Sequence, residues 1–144
     1  MRRQPLLLIA LVGALVLGTA LVSTVDLRRL RTPQGVALRW TQAATFGDCG
    51  DYLHFSVAPS STPAARPRAE LCRALRAVTA DARRHNVEIG LAVRRVSRSG
   101  ADAVVLLDVT RKGDVRRAEL HLRRTGGRWL VVRDDTTCAV VGCA

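Results

Sequence analysis

At 144 residues, 48% of them apolar, and with a formal net charge of +11, the chain has room for one folded domain with a strongly basic surface. Lys112 is the only lysine among 23 cations, an arginine bias that a GC-rich genome produces without selection for phosphate contacts, and aromatics at 3% leave few platforms for base stacking. The composition therefore argues against nucleic acid as a partner and for a field attraction to anionic lipid or envelope polymer.

The run from Pro5 to Val25 carries no charge and follows Arg2 and Arg3. About twenty apolar residues suffice to cross a bilayer, and the run is longer than the core of a cleaved signal peptide, so residues 1–25 read as an uncleaved signal anchor. Gly18-Thr19-Ala20 is the triplet that keeps cleavage, and hence secretion, open as the alternative. No cysteine follows the run before Cys49, which argues against a lipoprotein. Arg28, Arg29 and Arg31 in the basic linker, residues 26–31, nearly balance the charge before the anchor, so charge alone does not orient it. Four cysteines without metal-like spacing do, because they are best understood in an oxidising compartment. The amino terminus is expected inside and residues 32–144 outside the cytoplasm.

Thr32-Pro33 is a helix start, a capping hydroxyl followed by a proline whose missing N–H costs nothing in the first turn. Val36, Trp40, Ala43 and Ala44 fall on one face of that helix and Gly47 ends it. Asp48 to Phe55 reads as a short second helix or turn, and Ala58 to Pro63 as a loop. From Arg68 to Arg84 the stripe Leu71, Leu75, Val78 and Ala82 predicts one long helix.

After Asn86 the hydrophobic period falls from 3.6 to 2. Four strands follow, ending near Arg94, Arg111, Arg124 and Arg133, joined by turns at Arg98–Ala101, Lys112-Gly113-Asp114 and Thr125-Gly126-Gly127. The expected fold is α+β: an N-terminal transmembrane helix, then two to three helices on a four-stranded antiparallel meander over residues 32–135. Val104 and Leu106 on the second strand lie on the face opposite Val105 and Leu107, and the fourth strand is apolar on both sides. A face of that kind calls for cover, so Val104, Leu106, Trp129 and Val131 are the expected interface of a homodimer or partner.

The layout resembles the nuclear-transport-factor-2-like or cystatin-like α+β superfamily, and more narrowly small actinobacterial membrane-anchored or secreted proteins of that fold. The resemblance rests on Thr32-Pro33-Gln34-Gly35-Val36-Ala37, on Gly47-Asp48 with Asp51-Tyr52, and on Gly126-Gly127-Arg128-Trp129-Leu130-Val131. It implies a cone-shaped space between helices and sheet, for which Trp40, Tyr52, His54 and Phe55 are the candidate lining. It also makes the second helix and the long helix neighbours, which implies a Cys49–Cys72 disulfide, leaving Cys138 with Cys143 to close a tail over residues 136–144. The first bridge should stabilise by about 3 kcal/mol on the chain-entropy account. Both read as structural staples, since no Cys-X-X-Cys is present, and His54, His85 and His121 are too scattered for zinc.

Relatives by fold include isomerases and dehydratases, chemistry that needs a buried acid or base and an oxyanion donor. Asp51, Tyr52, His54 and Asp108 are the residues available for it, and each has a plainer role: a helix-start charge, a core aromatic, a rim histidine, and a cross-strand ion pair from Asp108 to Arg116 or Arg117. No catalytic residue, metal or cofactor is assigned. The tail can present Val140 and Val141 to a partner or seal one end of the sheet. The sequence is read as a non-catalytic binding or accessory domain of the cell envelope, holding a protein partner or small apolar ligand, with a cone-pocket enzyme or a purely structural protein as alternatives.

Overall fold

A computed structural model describes residues 29–58 and 67–141. The expected anchor over residues 1–25 lies outside the described residues, and among those described no helix is long and apolar enough to cross a membrane.

Helix α1, Pro33–Phe46, starts and stops on local chemistry. Thr32 is extended, its hydroxyl accepts the Gly35 N–H, and Pro33 occupies the first turn. Gly47 ends the helix at φ +73° and donates its N–H to the Ala43 carbonyl; a Cβ there would lie 2.3 Å from the Thr79 hydroxyl, so the position suits glycine twice over. Val36, Ala37, Trp40, Thr41, Ala43 and Ala44 are all buried, which fixes the face of α1 that meets the sheet.

Helix α2, Cys49–His54, is capped by Asp48, whose carboxylate accepts the Asp51 N–H. Strand β1, Ser56–Val57, comes next and corrects the expected four-stranded meander. It runs parallel to the last strand, with Val131 donating to the Phe55 carbonyl at 2.7 Å and Arg133 to that of Val57 at 3.1 Å. Two residues give no readable alternation, which is why the sequence reads straight into the following loop.

The single long helix expected over 68–84 is two: α3, Arg68–Val78, and α4, Ala80–Arg84. Thr79 separates them, its buried hydroxyl donating to the Leu75 carbonyl at 2.8 Å. Cys49 and Cys72 are joined, Cα atoms 5.3 Å apart, tying α2 to α3 as expected. The second expected pair ends on Cys143, outside the described residues.

Strands β2 (Ile89–Ser99), β3 (Asp102–Arg111), β4 (Asp114–Thr125) and β5 (Arg128–Val132) form the antiparallel run, and the whole mixed sheet is ordered β1-β5-β4-β3-β2. Lys112 and Gly113, and again Gly126 and Gly127, have positive φ at both central positions, the backbone that two-residue hairpins require. Val105, Leu107, Leu120, Leu122 and Val131 face α1 and are fully buried. Trp129 and Val131 thus belong to the core, which corrects their assignment to an outer interface: the register Val131–Leu122–Ala103 puts their parity on the helix side.

The chain then folds as helix α5, Asp135–Val141, where a disulfide-closed tail over residues 136–144 was expected. It lies along β4 beyond the end of β5, and buried Thr137 accepts the His121 N–H at 3.1 Å. The helix therefore covers backbone of β4 that no strand pairs on that side.

Candidate binding groove

On α1, Gly35, Leu38, Arg39, Gln42 and Phe46 recur at helical spacing on the side turned away from Trp40. They form one wall of an open groove of about 520 Å³. Ile89 and Leu91, at the start of β2, form the opposite wall, Phe55 and Asp51 contribute from the α2 region, and Arg29 and Leu30 close the near end. Leu30, Leu38, Phe46, Ile89 and Leu91 are each half-buried, so the lining is apolar where it is deep. Its charge is at the rim. Arg39 binds one carboxylate oxygen of Asp51 through both Nε, at 2.6 Å, and Nη2. That ion pair leaves Asp51 no second oxygen committed to it, and its half-exposed setting gives it modest strength.

Of the four residues expected to line a pocket, Phe55 lines this groove and Trp40, Tyr52 and His54 do not. Trp40 and Tyr52 are both fully buried and stacked with centroids 5.3 Å apart. The Trp40 indole donates to the Ser56 hydroxyl at 2.7 Å, and that hydroxyl donates to the Tyr52 carbonyl at 2.5 Å. These two aromatics fill the space that the resemblance implies as a cone, because their area is better buried between helix and sheet than left lining a cavity. His54 is exposed, its ring edge-on to Phe55 at 4.7 Å and 3.5 Å from Arg128, outside the groove. Leu38, Arg39, Gln42 and Phe46 were legible as a second helical stripe, and the sequence reading passed over them because the Trp40 stripe is the stronger one. Ile89 and Leu91 carry no local signal that they meet α1.

Two polar clusters lie on the sheet's far side and edge. Asp108, nearly fully buried, accepts from Arg94 at 2.5 Å and faces Arg117 at 3.6 Å. Arg117 was expected; Arg94 reaches Asp108 because a bulge between Val93 and Arg95 frees it from the register. The Arg94 hydrogen bond outweighs the opposing effect of burial and, with the charges of both arginines, holds the Asp108 carboxyl below its ordinary pKa.

In the second cluster, His121 Nδ1 is 2.6 Å from Asp134 and Nε2 is 3.1 Å from Glu119, while Asp134 accepts the Thr137 N–H at 2.8 Å. Burial disfavours a charged His121, but the hydrogen bonds to Glu119 and Asp134 prevail and raise its pKa. Burial likewise opposes a charged Asp134, and the Thr137 N–H together with His121 overcomes it and lowers that pKa. In the groove, Asp51 is the carboxylate among the described lining residues, and Arg39 holds it. Among the described residues no group of three His, Cys, Asp or Glu is arranged to hold a metal ion.

The chain has the NTF2-like fold. A Campylobacter jejuni structure that carries the provisional name NTF2-like transpeptidase is similar to it with a TM-score of 0.54 and 14% identity, covering 72% of this chain and 99% of the other. An NTF2-like protein from Cytophaga hutchinsonii matches at a TM-score of 0.39 and 9% identity, over 70% of this chain and 87% of that one. What the Campylobacter structure supports is the fold; the narrower actinobacterial resemblance is not shown by these comparisons. No family profile and no curated protein matches the chain.

Proposed function

We propose that this chain is a non-catalytic binding module of the cell envelope, held to the membrane by residues 1–25 and working outside the cytoplasm. The observation that carries the reading is the contrast between a filled interior and an open groove. Trp40, Tyr52 and Trp129 occupy the space between helix and sheet in which a cone-pocket enzyme would work, whereas the groove beside α1 has the size and lining of a ligand site. The Cys49–Cys72 bridge supports an oxidising compartment, and the uncharged run before Asp26 supports the tether.

The enzyme reading has less behind it. Among the described lining residues Asp51 is the only carboxylate and is ion-paired, Tyr52 is buried away from the groove, and His54 stands outside it. Near the groove, Cys49 and Cys72 are joined to each other, and the Ser56 hydroxyl is engaged by Trp40 and Tyr52.

The test is topological and then chemical. The full chain in its native membrane should resist alkaline extraction and be cleaved by protease added from outside; recovery from the soluble cytoplasm would end the reading. A neutral apolar fluorescent probe should brighten on the purified chain and lose that signal in Leu38→Glu. Brightening that survives the substitution would remove the groove as the site.

A further inference from the structure

We propose that the groove seats a single anionic lipid of the membrane to which the chain is tethered, with its acyl chain against Leu38, Phe46 and Leu91 and its head group between Arg29 and Arg39. The proposal rests on the anchored reading above and adds the class of ligand to it.

Reach is the first support. Val25 ends the uncharged run and Arg29 lies on the rim of the groove, four residue steps on, which is at most about 14 Å of extended chain. With the run in the bilayer, the groove cannot leave the neighbourhood of the head groups, where anionic lipids are concentrated.

The rim is also fixed in place. The Arg29 carbonyl accepts both the N–H and the hydroxyl of Thr32, at 3.1 and 2.8 Å. Gly35 lets that carbonyl rest against α1, since a Cβ there would stand 1.8 Å from it. The strand of chain leading from the membrane is thus pinned to the helix that forms the groove wall.

Charge supplies the choice of ligand. Arg29 is exposed and makes no ion pair among the described residues. Arg39 spends two nitrogens on one oxygen of Asp51, which leaves guanidinium donors for the oxygens of a phosphate or carboxylate. A neutral apolar ligand would fill the lining and leave both arginines unused. An anionic head on an acyl chain satisfies the rim and the lining together, and an open groove lets the chain enter sideways from a bilayer.

The test uses the full chain reconstituted into phosphatidylcholine nanodiscs that carry a minor fraction of phosphatidylglycerol with a photoactivatable acyl chain, or the matching phosphatidylcholine probe. Crosslinked residues are mapped by mass spectrometry. The phosphatidylglycerol probe should label peptides containing residues 38–46 and 89–91 in preference to the phosphatidylcholine probe. Arg29→Gln, on an exposed side chain, should lower that labelling up to about fivefold and leave labelling of residues 1–25 unchanged. Leu38→Glu should abolish it, with the melting transition recorded to show that the domain remains folded. Equal labelling by both probes overturns the proposal, as does groove labelling that survives both substitutions. Labelling confined to residues 1–25 also overturns it while leaving the anchored reading intact. A chain that fails to enter the discs and is washed from native membranes at alkaline pH overturns the anchored reading itself.

Discussion

Leu106 and Leu107 are neighbours on β3 and end in different surroundings. Leu107 is fully buried under α1, whereas Leu106 is half-buried across from Arg95 on one side and Glu119 on the other. The difference holds along the sheet. The helix side packs aliphatic residues around Trp40, Tyr52 and Trp129; the far side carries the ion pairs Arg94–Asp108, Arg117–Asp108, Arg123–Asp102 and His121–Asp134. Long charged side chains can cover apolar neighbours with their stems while their heads stay in water. Val104 and Leu106 are half-buried within the single chain, so the homodimer expected on this face is a matter for experiment. One face is held by area, the other by networks of modest pairs.

If that contrast is right, substitutions should sort by face. The largest effect belongs to Trp40→Ala, which empties the centre of the helix side and takes away the indole donor to the Ser56 hydroxyl; the expected loss is about 3–5 kcal/mol in urea unfolding. A loss below about 1 kcal/mol would mean that the interior is not packed as described. Next comes the Cys49–Cys72 bridge, which closes 23 residues of sequence between α2 and α3. Replacing both by serine should cost about 3 kcal/mol by the entropy of that loop, read from the same unfolding curves. Equal stability of the reduced and oxidised protein would show that the bridge merely records proximity.

The two faces also differ in how far the sequence reveals them. Alternation in β3 and β4 was enough to give the strands, their order and the inward side, because each residue's parity is set locally. Thr32, Pro33 and Gly47 gave the bounds of α1 for the same reason. Trp129 and Val131 were put on the wrong side because β5 is apolar on both faces, so parity there has no polar reference. Strand β1 was invisible since two residues have no period, and its pairing with β5 is a long-range event. The groove was missed because it depends on where α1 crosses the start of β2, a matter of packing between elements distant in sequence; the core pattern draws attention to Trp40 and away from Leu38 and Phe46. The Arg94–Asp108 bond was missed because it is made by a bulge.

A smaller effect is expected where the sheet's edge is closed by α5. Asp134 caps that helix through the Thr137 N–H and also faces His121, so Asp134→Ala should cost about 1–2 kcal/mol, within the range of helix-cap losses. The contribution should depend on pH at both ends. The raised pKa of His121 gives stability that is complete below its unfolded value, about 6.5, and is lost as pH rises through the folded one. The lowered pKa of Asp134 gives stability present above about 3.9 and lost as pH falls through the folded value. Contact between α5 and β4 should thus be firmest between about pH 4 and 6.5, and His121→Gln should flatten the upper limb of the difference. Hydrogen exchange at the His121 amide, which the Thr137 hydroxyl accepts, reports the contact directly. An upper limb unchanged in His121→Gln would place the titration elsewhere.

The smallest effect tests the comparison most directly, because it is measured one residue from a large one. Leu107→Ala removes a side chain with no exposure and should cost about 2–5 kcal/mol, while Leu106→Ala removes one that the far face only half covers and should cost about 1 kcal/mol or less. If Leu106 instead lay in a dimer interface, its truncation would lower the association state as well as the stability, and the loss would grow on dilution. Sedimentation of the wild-type chain and of Leu106→Ala, in the same neutral detergent, separates the two. An unchanged sedimentation coefficient with a small, concentration-independent loss is what a self-covered face predicts; a shift to a smaller species would return Val104 and Leu106 to an interface and leave the ion pairs around them as its rim.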